Sequence, residues 1–518
     1  MAEYDAVIVG SGVNSLACGA LLAREGWRVC VLERNEWLGG AIHTAELTEP
    51  GFHHDVFSAW HPLWVGGAAH AQLGEDLAAR GLEYLNTDLP TATAFPDGSA
   101  AFLLRDAEGN AGELGPEWPR VLEKFFPNAD IAFGLLGTEL WSASGIALAT
   151  KAYRRLGRAG LAAFTGGLLQ SSRDWLQQTF ASERAHGVLA PWVLHTGLGP
   201  DAASSGFMTQ VIAVAVQEGG MPIPRGGGAR LADSLVRLIR DNGGTCETGR
   251  DVERIVVRGG RAVGVRLESG ETVEASRAVI ANVTPTQLYE RLLEGETPDG
   301  ARTFRYGRAE MQIHFALSEP ARWDGDERLN RTAIVHVTPG LDGVSRAVNE
   351  AERGVIPEEA TIVVGQPLTM DPSRAPDGKG LLWIQLQELP SRMEWNDELR
   401  ERYADRIQAR LVRHIPNLES SIVRRVALGP HDLERMNVNL RRGDPYGGAL
   451  TLDQNFLWRP FPGSRGHATP VERLWHIGAS TWPGPGLGAG SGTLVAQKLL
   501  EPPLAGRTVK KLRGLVAR

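Results

Sequence analysis

The chain has 518 residues, of which 42% are hydrophobic and 22% charged, the balance of an ordinary globular protein, and this length predicts roughly two to four domains. A net charge of −7 without a basic stripe argues against a nucleic-acid partner. Three cysteines, Cys18, Cys30 and Cys246, with no CxxC or metal-ligand spacing, predict neither a disulfide framework nor a metal site.

The N-terminal residues and the lengths of the apolar runs bear on the cellular location of the protein. The opening MAEYD is acidic and lacks the basic region of a signal peptide. No run of 18 apolar residues occurs, so no membrane span is predicted. We therefore expect a cytoplasmic protein, with association at a membrane surface left open.

The first 33 residues predict a strand, a helix and a second strand. YDAVIV at 4–9 is rich in β-branched residues, the pattern of a buried parallel strand. GSG at 10–12 breaks this run, a helical pattern follows from 13 to about 25, and RVCVLE at 28–33 is a second buried strand. This βαβ unit predicts a nucleotide site at its glycine turn.

The glycine turn has the chemistry of a dinucleotide site. Gly10 permits the tight turn, and Gly12 lets a pyrophosphate approach the free N–H groups at the helix N-terminus. Glu33 ends the second strand, where a carboxylate accepts hydrogen bonds from a ribose 2′-OH, as in FAD or NAD. The third glycine of GxGxxG is replaced by Ser15, at the position that packs helix against strand.

The residues after Glu33 favour FAD over NAD. RNEWLGGAIHT contains a glycine pair that allows backbone to run close to a cofactor. It is similar to the FAD-binding half of the glutathione-reductase-type flavoproteins, in which ERxxxxGG follows the ribose acid. The N-terminal residues expected at the cofactor are Gly10, Ser11, Gly12, Asn14, Ser15, Glu33, Arg34, Gly39, Gly40 and Ala41.

The middle of the chain predicts a return to the same domain. A glycine-rich entry at Gly226 opens an amphipathic helix, and alternating apolar residues from 251 to 282 predict a β-meander and a buried strand. In flavoproteins of this class that layout implies the backbone of Val252 at the adenine. The stretch from about 90 to 215 reads as mostly helical, and MQIHFAL and LLWIQLQEL read as strands.

Near the C-terminus, glycine occupies every second position from Gly484 to Gly492. A strand at 473–477 precedes this loop and a helix follows from about Ser491. A glycine-rich loop that opens a helix is a site for oxygens and phosphates. The segment looks like a second FAD-binding motif, facing the isoalloxazine O2 and the ribityl chain, with expected contacts at Gly478, Gly486, Leu487 and Gly488.

Together these segments resemble the phytoene-desaturase and carotene-isomerase-like family of FAD-dependent oxidoreductases. The resemblance is carried by VIVGSGVNSLACGALLAREGWRVCVLERNEWLGGA, LTLDQNFLWRPFPG at 450–463, Thr469-Pro470 and LWHIGASTWPGPGLGAGSG. The closest branch is that of pyridine nucleotide-disulfide oxidoreductase domain-containing protein 2. Asn14 within the glycine motif fits that branch.

The resemblance implies an α/β fold with a glutathione-reductase-type, Rossmann-like FAD-binding domain and an interleaved α+β substrate domain. We expect the FAD-binding domain to comprise 1–90, 215–300 and 464–518. The substrate-binding domain, with a helical lid, would comprise 91–214 and 301–463.

The implied activity is that of a dehydrogenase or desaturase. Non-covalent FAD would take hydride at N5 from a C–H bond of a hydrophobic substrate and pass electrons to an acceptor such as oxygen or a quinone. Open alternatives are a flavin-dependent amine oxidase, a redox-neutral double-bond isomerase, and a non-enzymatic escort-type lipid binder. Such a substrate would allow peripheral membrane contact, with the helical stretch 129–180 as its entrance.

Five residues are candidates for the chemistry itself. His61, in FSAWHPLW, follows the FAD segment, and Gln312 and His314 alternate along a predicted strand, so one face could line a pocket. Tyr446, in a glycine-rich turn, and Trp482, beside the flavin loop, complete the set. We predict catalytic roles for His61, His314 and Tyr446 and substrate contact for Gln312 and Trp482. A structural role of each is the alternative.

Overall fold

A computed structural model describes residues 3–501 of the chain. Its strands are β1 (Tyr4–Val9), β2 (Val29–Leu32), β3 (Thr44–Ala45), β4 (His54–Asp55), β5 (Tyr84–Leu85), β6 (Thr91–Ala94), β7 (Ala100–Leu103), β8 (Ile223–Pro224), β9 (Thr245–Glu247), β10 (Val252–Arg258), β11 (Arg261–Leu267), β12 (Thr272–Asn282), β13 (Ala309–Leu317), β14 (Ile334–Val337), β15 (Ile362–Gly365), β16 (Gly380–Leu389), β17 (Ile422–Leu428) and β18 (Leu474–Ile477).

The helices are α1 (Val13–Arg24), α2 (Pro62–Val65), α3 (Ala68–Ala78), α4 (Ala107–Leu114), α5 (Trp118–Phe125), α6 (Ala129–Leu136), α7 (Ala143–Leu169), α8 (Ser172–Thr179), α9 (Glu183–Leu189), α10 (Ser205–Gly219), α11 (Ala229–Asp241), α12 (Asp299–Arg302), α13 (Leu341–Glu352), α14 (Asp397–Leu411), α15 (Leu418–Ser421), α16 (Pro430–Met436) and α17 (Gly490–Leu500).

The first sheet is built from three distant parts of the chain. Its order is β10-β11-β12-β1-β2-β9, and β18 also pairs with β12. The pairs β12–β1, β1–β2, β2–β9 and β12–β18 are parallel, whereas β10–β11–β12 is an antiparallel meander. Parallel strands are covered on both faces, and residues 6–9 of β1 and all of β2 are accordingly apolar and buried.

Helix α1 packs on this sheet as the first crossover of the βαβ unit. Eleven of its 12 residues, from Val13 to Ala23, are buried. They pack in one core with α11 and α17. The helix is therefore covered on all sides, which explains why its sequence is apolar and small rather than amphipathic.

The second sheet has the order β17-β13-β16-β15-β14-β6-β7. Its central strands β13 and β16 pair in antiparallel fashion and are almost wholly buried. Strands β6 and β7 lie at the start of the stretch expected to be mostly helical, and helices α4 to α10 occupy most of the remainder. The runs TATA and AAFL are short and are stabilised by pairing with each other and with β14.

The strands of the two sheets alternate along the chain in the way the interleaved arrangement requires. The first sheet draws on residues 4–32, 245–282 and 474–477, and the second on 91–103, 309–389 and 422–428. The domain boundaries themselves stay a prediction. Residues 1–2 and 502–518 of the expected FAD-binding segments lie outside the described residues.

Candidate active site

One continuous cavity is lined by both sheets. At one end are the glycine turn after β1 and the end of β2, and at the other are side chains from β13, β14 and β16 of the second sheet. Loops after β12 and β18 form further parts of the wall. The two sheets therefore share a single site, as expected for a cofactor domain that presents its ligand to a substrate domain.

Glu33 and Ser11 hold the glycine turn in shape. The Ser11 backbone N–H and its hydroxyl both donate to Glu33 Oε2, at 2.9 and 2.7 Å. The Asn35 N–H donates to Glu33 Oε1 at 2.9 Å, and the Ser11 hydroxyl accepts from the Gly39 N–H at 3.0 Å. Glu33 thus lies buried at the cavity wall, where a ribose hydroxyl can reach it.

The glycines next to this carboxylate lie so close to neighbouring protein atoms that a side chain would not fit. A Cβ on Gly12 would lie 3.0 Å from Asn282 Nδ2, and one on Gly40 would lie 2.9 Å from the Gly12 Cα. Gly40 also has a φ of +61°, which other residues rarely adopt. Gly39, Gly40 and Ala41 all line the cavity, as do Gly10, Ser11 and Gly12.

Asn14 and Ser15 tie the first helix to its neighbours. Asn14 Oδ1 accepts from the Gly492 N–H at 3.0 Å, which joins α1 to the start of α17. The Ser15 hydroxyl accepts from Asn282 Nδ2 at 2.9 Å, which joins α1 to the end of β12. Asn14 lines the cavity, whereas Ser15 is not among its described lining residues. Ser15 thus takes the packing position of the missing glycine, with a hydrogen bond added.

The adenosine end of the expected site is closed by Arg34 and Val252, which both line the cavity. Arg34 Nε lies 3.5 Å from Asp251 Oδ2. The Val252 carbonyl accepts from Arg291 Nη2 at 3.2 Å. The backbone position expected at the adenine is therefore part of the wall.

The C-terminal glycine loop contributes only part of its expected contacts. Gly486 and Leu487 line the cavity, whereas Gly478 and Gly488 are not among the described lining residues. The Gly478 N–H donates to Ser491 Oγ at 3.0 Å, so it braces the loop against α17. A Cβ on Gly488 would lie 3.0 Å from the Leu63 carbonyl, so that glycine allows close packing with α2.

These features fit FAD. A buried carboxylate stands at the end of β2, a cradle of glycines without Cβ atoms leads into the N-terminus of α1, and the same cavity continues past the C-terminal loop. Free N–H groups at a helix start and a ribose-binding acid are the donors and acceptor that a dinucleotide needs.

Beyond the glycine loops the cavity becomes an apolar chamber. Its apolar wall comprises Trp60, Trp192, Ile212, Ala215, Val216, Met221, Ile334 and Trp383. Four polar side chains from the second sheet and the β17–β18 connection share this end, namely Glu310, Gln385, Gln387 and Tyr446. The chamber can therefore take a mainly hydrophobic ligand with a small polar part.

Glu310 is the polar residue with the most perturbed environment. It is 5% exposed, and Glu310 Oε1 accepts hydrogen bonds from the amide groups of Gln312 and Gln385, the latter at 2.7 Å. Burial raises the pKa of Glu310 from about 4.5 to about 7, against the lowering effect of the two amides. A carboxyl group with a pKa near neutrality in a chamber is a functional-site candidate.

His61 and His314 lie near the site but not among its described lining residues. His61 Nδ1 pairs with the Tyr84 hydroxyl at 3.0 Å, and burial lowers its pKa to about 4. His314 packs edge-on against His54, with ring centroids 5.2 Å apart, and burial lowers its pKa to about 4 as well. Their expected catalytic roles stay predictions that this placement does not support, because a proton-transfer group must reach the reacting atoms.

Tyr446 lines the chamber, but its hydroxyl is already engaged. It donates to the Leu194 carbonyl at 2.7 Å and accepts from Gln387 Nε2 at 3.0 Å. Burial raises the pKa of Tyr446 well above its ordinary value. Its geometry suits a wall residue that positions Gln387 better than an acid or base, so its catalytic role also stays a prediction.

The two expected substrate contacts are set back from the chamber. Gln312 is buried beneath Glu310 and donates to its carboxylate, and Trp482 packs against Phe456 with ring centroids 5.3 Å apart. The Trp482 indole N–H donates to the Thr138 carbonyl at 3.1 Å. Neither residue is among the described lining residues, so direct substrate contact stays a prediction.

Sequence reasoning missed Glu310, Gln385 and Gln387. The signal for Glu310 was present, because it precedes Gln312 and His314 at the same two-residue interval along β13. Gln385 pairs directly with Gln312 in the sheet, which only the strand register reveals. Trp192 and His195 come from a segment read as helical and could not be placed beside these strands.

Comparisons with known proteins bear on the family and the fold. The family described as flavin containing amine oxidoreductase matches residues 16–433. Pyridine nucleotide-disulfide oxidoreductase domain-containing protein 2 of Mus musculus is 26% identical, over 95% of this chain and 92% of its own length. The zeta-carotene-forming phytoene desaturase of Myxococcus xanthus is 28% identical, over 93% of this chain and 90% of its own.

Among solved structures, an oxidoreductase from Methanosarcina mazei superposes with a TM-score of 0.62 at 18% identity. The match covers 95% of this chain and 99% of that protein. At this identity the likeness concerns the fold, which is α/β with a Rossmann-like FAD-binding part and an interleaved substrate part.

Proposed function

Given that the chain belongs to the family of flavin containing amine oxidoreductases, we propose that it dehydrogenates a hydrophobic substrate at a C–H bond. It is an FAD-dependent oxidoreductase, and its FAD is bound non-covalently. FAD, when bound, supplies a hydride acceptor at N5. The protein itself binds, orients and shields the two partners.

The observation that carries the proposal is the apolar chamber at the end of the FAD cavity. Three tryptophans and several aliphatic side chains form its wall. Burial of apolar surface supplies about 25 cal/mol per Å², so such a wall favours a ligand with little polar surface. The similar desaturase from Myxococcus xanthus is named for a carotene product, which supports the same substrate class.

Each part of the chain has a distinct task in this reaction. The Glu33 carboxylate would accept from a ribose hydroxyl of FAD, and the free N–H groups at the N-terminus of α1 would hold its pyrophosphate. The C-terminal loop at Gly486 and Leu487 lies along the continuation of the cavity. The tryptophans exclude water from the reacting bond. Electrostatic interactions inside the chamber are stronger as a result.

Amine oxidation is the nearest alternative reaction. The family name includes it, but the mainly apolar wall of the chamber favours a hydrophobic substrate over a charged amine. Double-bond isomerisation on reduced FAD is the second alternative. The escort-type lipid binder is set aside, because the chain is an FAD-dependent enzyme.

An anaerobic spectroscopic titration tests the proposal. Purified holoenzyme is mixed with a saturated hydrocarbon, a polyene and an amine of matched carbon number, and the oxidised flavin band is followed. We expect bleaching by the hydrocarbon or the polyene. Bleaching by the amine alone would assign an amine oxidase, and turnover of a polyene only by pre-reduced enzyme would assign the isomerase.

The electron acceptor and the membrane are proposed partners. Reduced FAD must be reoxidised, and we propose oxygen or a quinone for this step. No helix within residues 3–501 is both long and apolar enough to cross a membrane. Peripheral contact is supported by α7, a helical segment that is kinked at Gly157 and has a single buried residue, Ala152.

The surface around α7 has the character of an interfacial helix. Trp141 and Ile146 are 53% and 70% exposed, and the Trp141 indole N–H donates to the Leu457 carbonyl at 2.7 Å, beside the exposed Trp458. We call Trp141, Ile146, Leu457 and Trp458 the apolar patch. Arg154 on α7 adds positive charge, which favours anionic lipid.

A further inference from the structure

The floor of the chamber is one face of the second sheet. Glu310 and Gln312 lie two residues apart on β13, and Gln385 and Gln387 lie two residues apart on β16. Gln312 pairs directly with Gln385. Side chains at a two-residue interval share a face, so four polar side chains are gathered on this side of two neighbouring strands.

An irregularity in the pairing determines how Gln387 is presented. Ala309 pairs with Leu389, and Met311 pairs with Leu386, so β16 contains one residue more than β13 over this stretch. This is a β-bulge, which redirects the side chains beside it. Gln387 lines the chamber, whereas the carboxylate of its neighbour Glu388 accepts from Thr361 outside it.

The polar groups on this floor offer acceptors that the protein leaves unused. Both amides that reach Glu310 donate to Oε1, and no donor within residues 3–501 reaches Oε2. Gln387 gives its N–H to Tyr446, while its carbonyl oxygen Oε1 is buried without a donor. A buried acceptor without a donor is unfavourable, so a ligand that donates to Gln387 Oε1 relieves that cost on binding.

Glu310 also has no cationic partner among the described residues. The neighbouring Arg308 is directed elsewhere, since its Nη1 lies 3.1 Å from Glu352 and its Nη2 donates to the Leu198 carbonyl at 2.9 Å. The nearby Asp444 carboxylate is satisfied by the backbone N–H groups of Gly307, Tyr446 and Gly448. In the described part of the chain, the chamber floor therefore presents the unused acceptor Oε1 of Gln387 beside a Glu310 carboxyl without a cationic partner, whereas the unpaired indole N–H groups of Trp60 and Trp192 belong to the wall.

We propose that Glu310 and Gln387 form a subsite for a hydrogen-bond-donating group, a hydroxyl or an amino group, carried by an otherwise hydrophobic substrate. This inference rests on the proposed function, because it concerns the substrate chamber of that reaction. The apolar wall holds the body of the molecule, and the two acceptors determine which end of it lies at the floor.

Binding of small matched probes to the holoenzyme tests the subsite without any turnover. The probes are 1-octanol, octylamine and heptyl methyl ether, which have the same number of heavy atoms in the chain, and of which only the ether lacks a donor. Binding is followed by calorimetry and by the fluorescence of the chamber tryptophans. We expect the alcohol or the amine to bind about 10-fold more tightly than the ether, the gain of about one net hydrogen bond.

Two variants of similar shape assign the effect to the two acceptors. Glu310→Gln removes the charge, and Gln387→Met removes the amide oxygen. Each is expected to reduce the preference for the donor probe over the ether to about 3-fold or less. The matched control is Glu388→Gln, a buried carboxylate on the same strand whose side chain bonds Thr361, and it should retain the full preference.

The outcomes distinguish failure of the subsite from failure of the proposed dehydrogenation. Equal binding of all three probes by the unaltered enzyme, or an unchanged preference in both variants, would overturn the subsite. A retained flavin spectrum and a melting temperature no lower than that of the unaltered enzyme show that a variant has folded. Preference for the amine over the alcohol assigns an amino group, and the reverse assigns a hydroxyl. Failure of hydrophobic substrates to bleach the flavin would instead contradict the proposed dehydrogenation, whatever the probes show.

Discussion

At the residue scale, Glu33 has two roles that depend on the same carboxylate. Its Oε2 accepts from both the backbone and the side chain of Ser11, which shapes the turn, and it lies at the cavity wall. Hydrogen bonds to an ionised carboxylate are stronger than those between neutral groups. Loss of this carboxylate therefore affects both the turn and the ribose contact.

We predict that Glu33→Ala weakens FAD binding by about 100-fold. The variant loses the hydrogen bonds to the carboxylate from Ser11 and from the ribose, each of which contributes about 1.5–3 kcal/mol. Water that enters the vacated space replaces part of this free energy. The measurement is a titration of the apoprotein with FAD, followed by flavin fluorescence. Glu25→Ala at the exposed end of α1 is the control and should bind FAD like the unaltered protein. Equal affinity of both variants would contradict the ribose role.

Glu388 is a buried carboxyl group outside the cavity that makes stability depend on pH. Burial raises its pKa from about 4.5 to about 7. Between these values the unfolded chain releases its proton while the folded protein retains it, so the free energy of unfolding falls as pH rises from about 4.5 to 7 and levels off above. The size of this loss is at most about 3 kcal/mol.

We predict that Glu388→Gln stabilises the protein above pH 7 and has little effect below pH 4.5. The amide oxygen can still accept from the Thr361 N–H, and the amide group can donate to the Thr361 hydroxyl, so both contacts persist. Urea unfolding at pH 4.5 and pH 8 measures the difference. A variant that is equally destabilised at both pH values would show that the contacts, not the buried charge, matter.

At the scale of the element, the contact between α1 and α17 brings the two glycine loops together. Gly492 in the first turn of α17 lies against the Asn14 backbone, and its N–H donates to Asn14 Oδ1. A Cβ at this glycine would lie 2.0 Å from the Asn14 carbonyl oxygen, which leaves no room for alanine. The repeated glycines of the C-terminal loop thus serve helix packing as well as approach to the cofactor.

We predict that Gly492→Ala lowers the free energy of unfolding by about 1–3 kcal/mol, the usual cost of overpacking, and weakens FAD binding as well. Gly166→Ala is the matched control, because a Cβ on Gly166 in α7 would meet nothing within 4 Å. That change should stabilise the protein by up to about 1 kcal/mol through helix propensity. Chemical unfolding and FAD titration of the two variants provide the comparison, and similar behaviour of both would contradict the close contact.

At the scale of the whole molecule, the apolar patch and the chamber suggest how a hydrophobic substrate reaches FAD. The core packed against α6 and α7 includes Phe207 and Val211 of α10, and the next turn of α10 contributes Ile212 and Val216 to the chamber wall. Helix α10 therefore packs against α6 and α7 and also lines the chamber. A route past α10 would deliver a lipid-soluble molecule without passage through water.

We predict that the protein binds vesicles of anionic phospholipid and that Ile146→Glu weakens this binding by about 10-fold. Ile146 is 70% exposed, and transfer of such a side chain into lipid contributes about 1.5–3 kcal/mol. Val355→Glu is the control, since Val355 is 53% exposed on the loop after α13. Vesicle flotation measures the bound fraction. A protein that does not float, or two variants that float equally, would contradict membrane contact through the apolar patch.

The sequence by itself determined the cofactor half of this protein. Residues 4–33 are contiguous, so the strand, turn, helix and acid could be recognised from local patterns, and α1 and β2 begin and end within a residue or two of their predicted bounds. The glycine loop from 478 to 492 could be recognised for the same reason. A backbone position with a positive φ, such as Gly40 or Gly486, favours glycine, so the residue type itself indicates the conformation.

Only the tertiary structure decided the composition of the substrate chamber. Glu310, Gln387 and Tyr446 come from three segments, and Trp192 comes from a fourth, far away along the chain. Their convergence depends on the register of β13 against β16, on a bulge of one residue, and on which face of the sheet meets the FAD domain. Such pairing is a property of distant contacts, and a two-residue periodicity cannot reveal which of two faces will be covered.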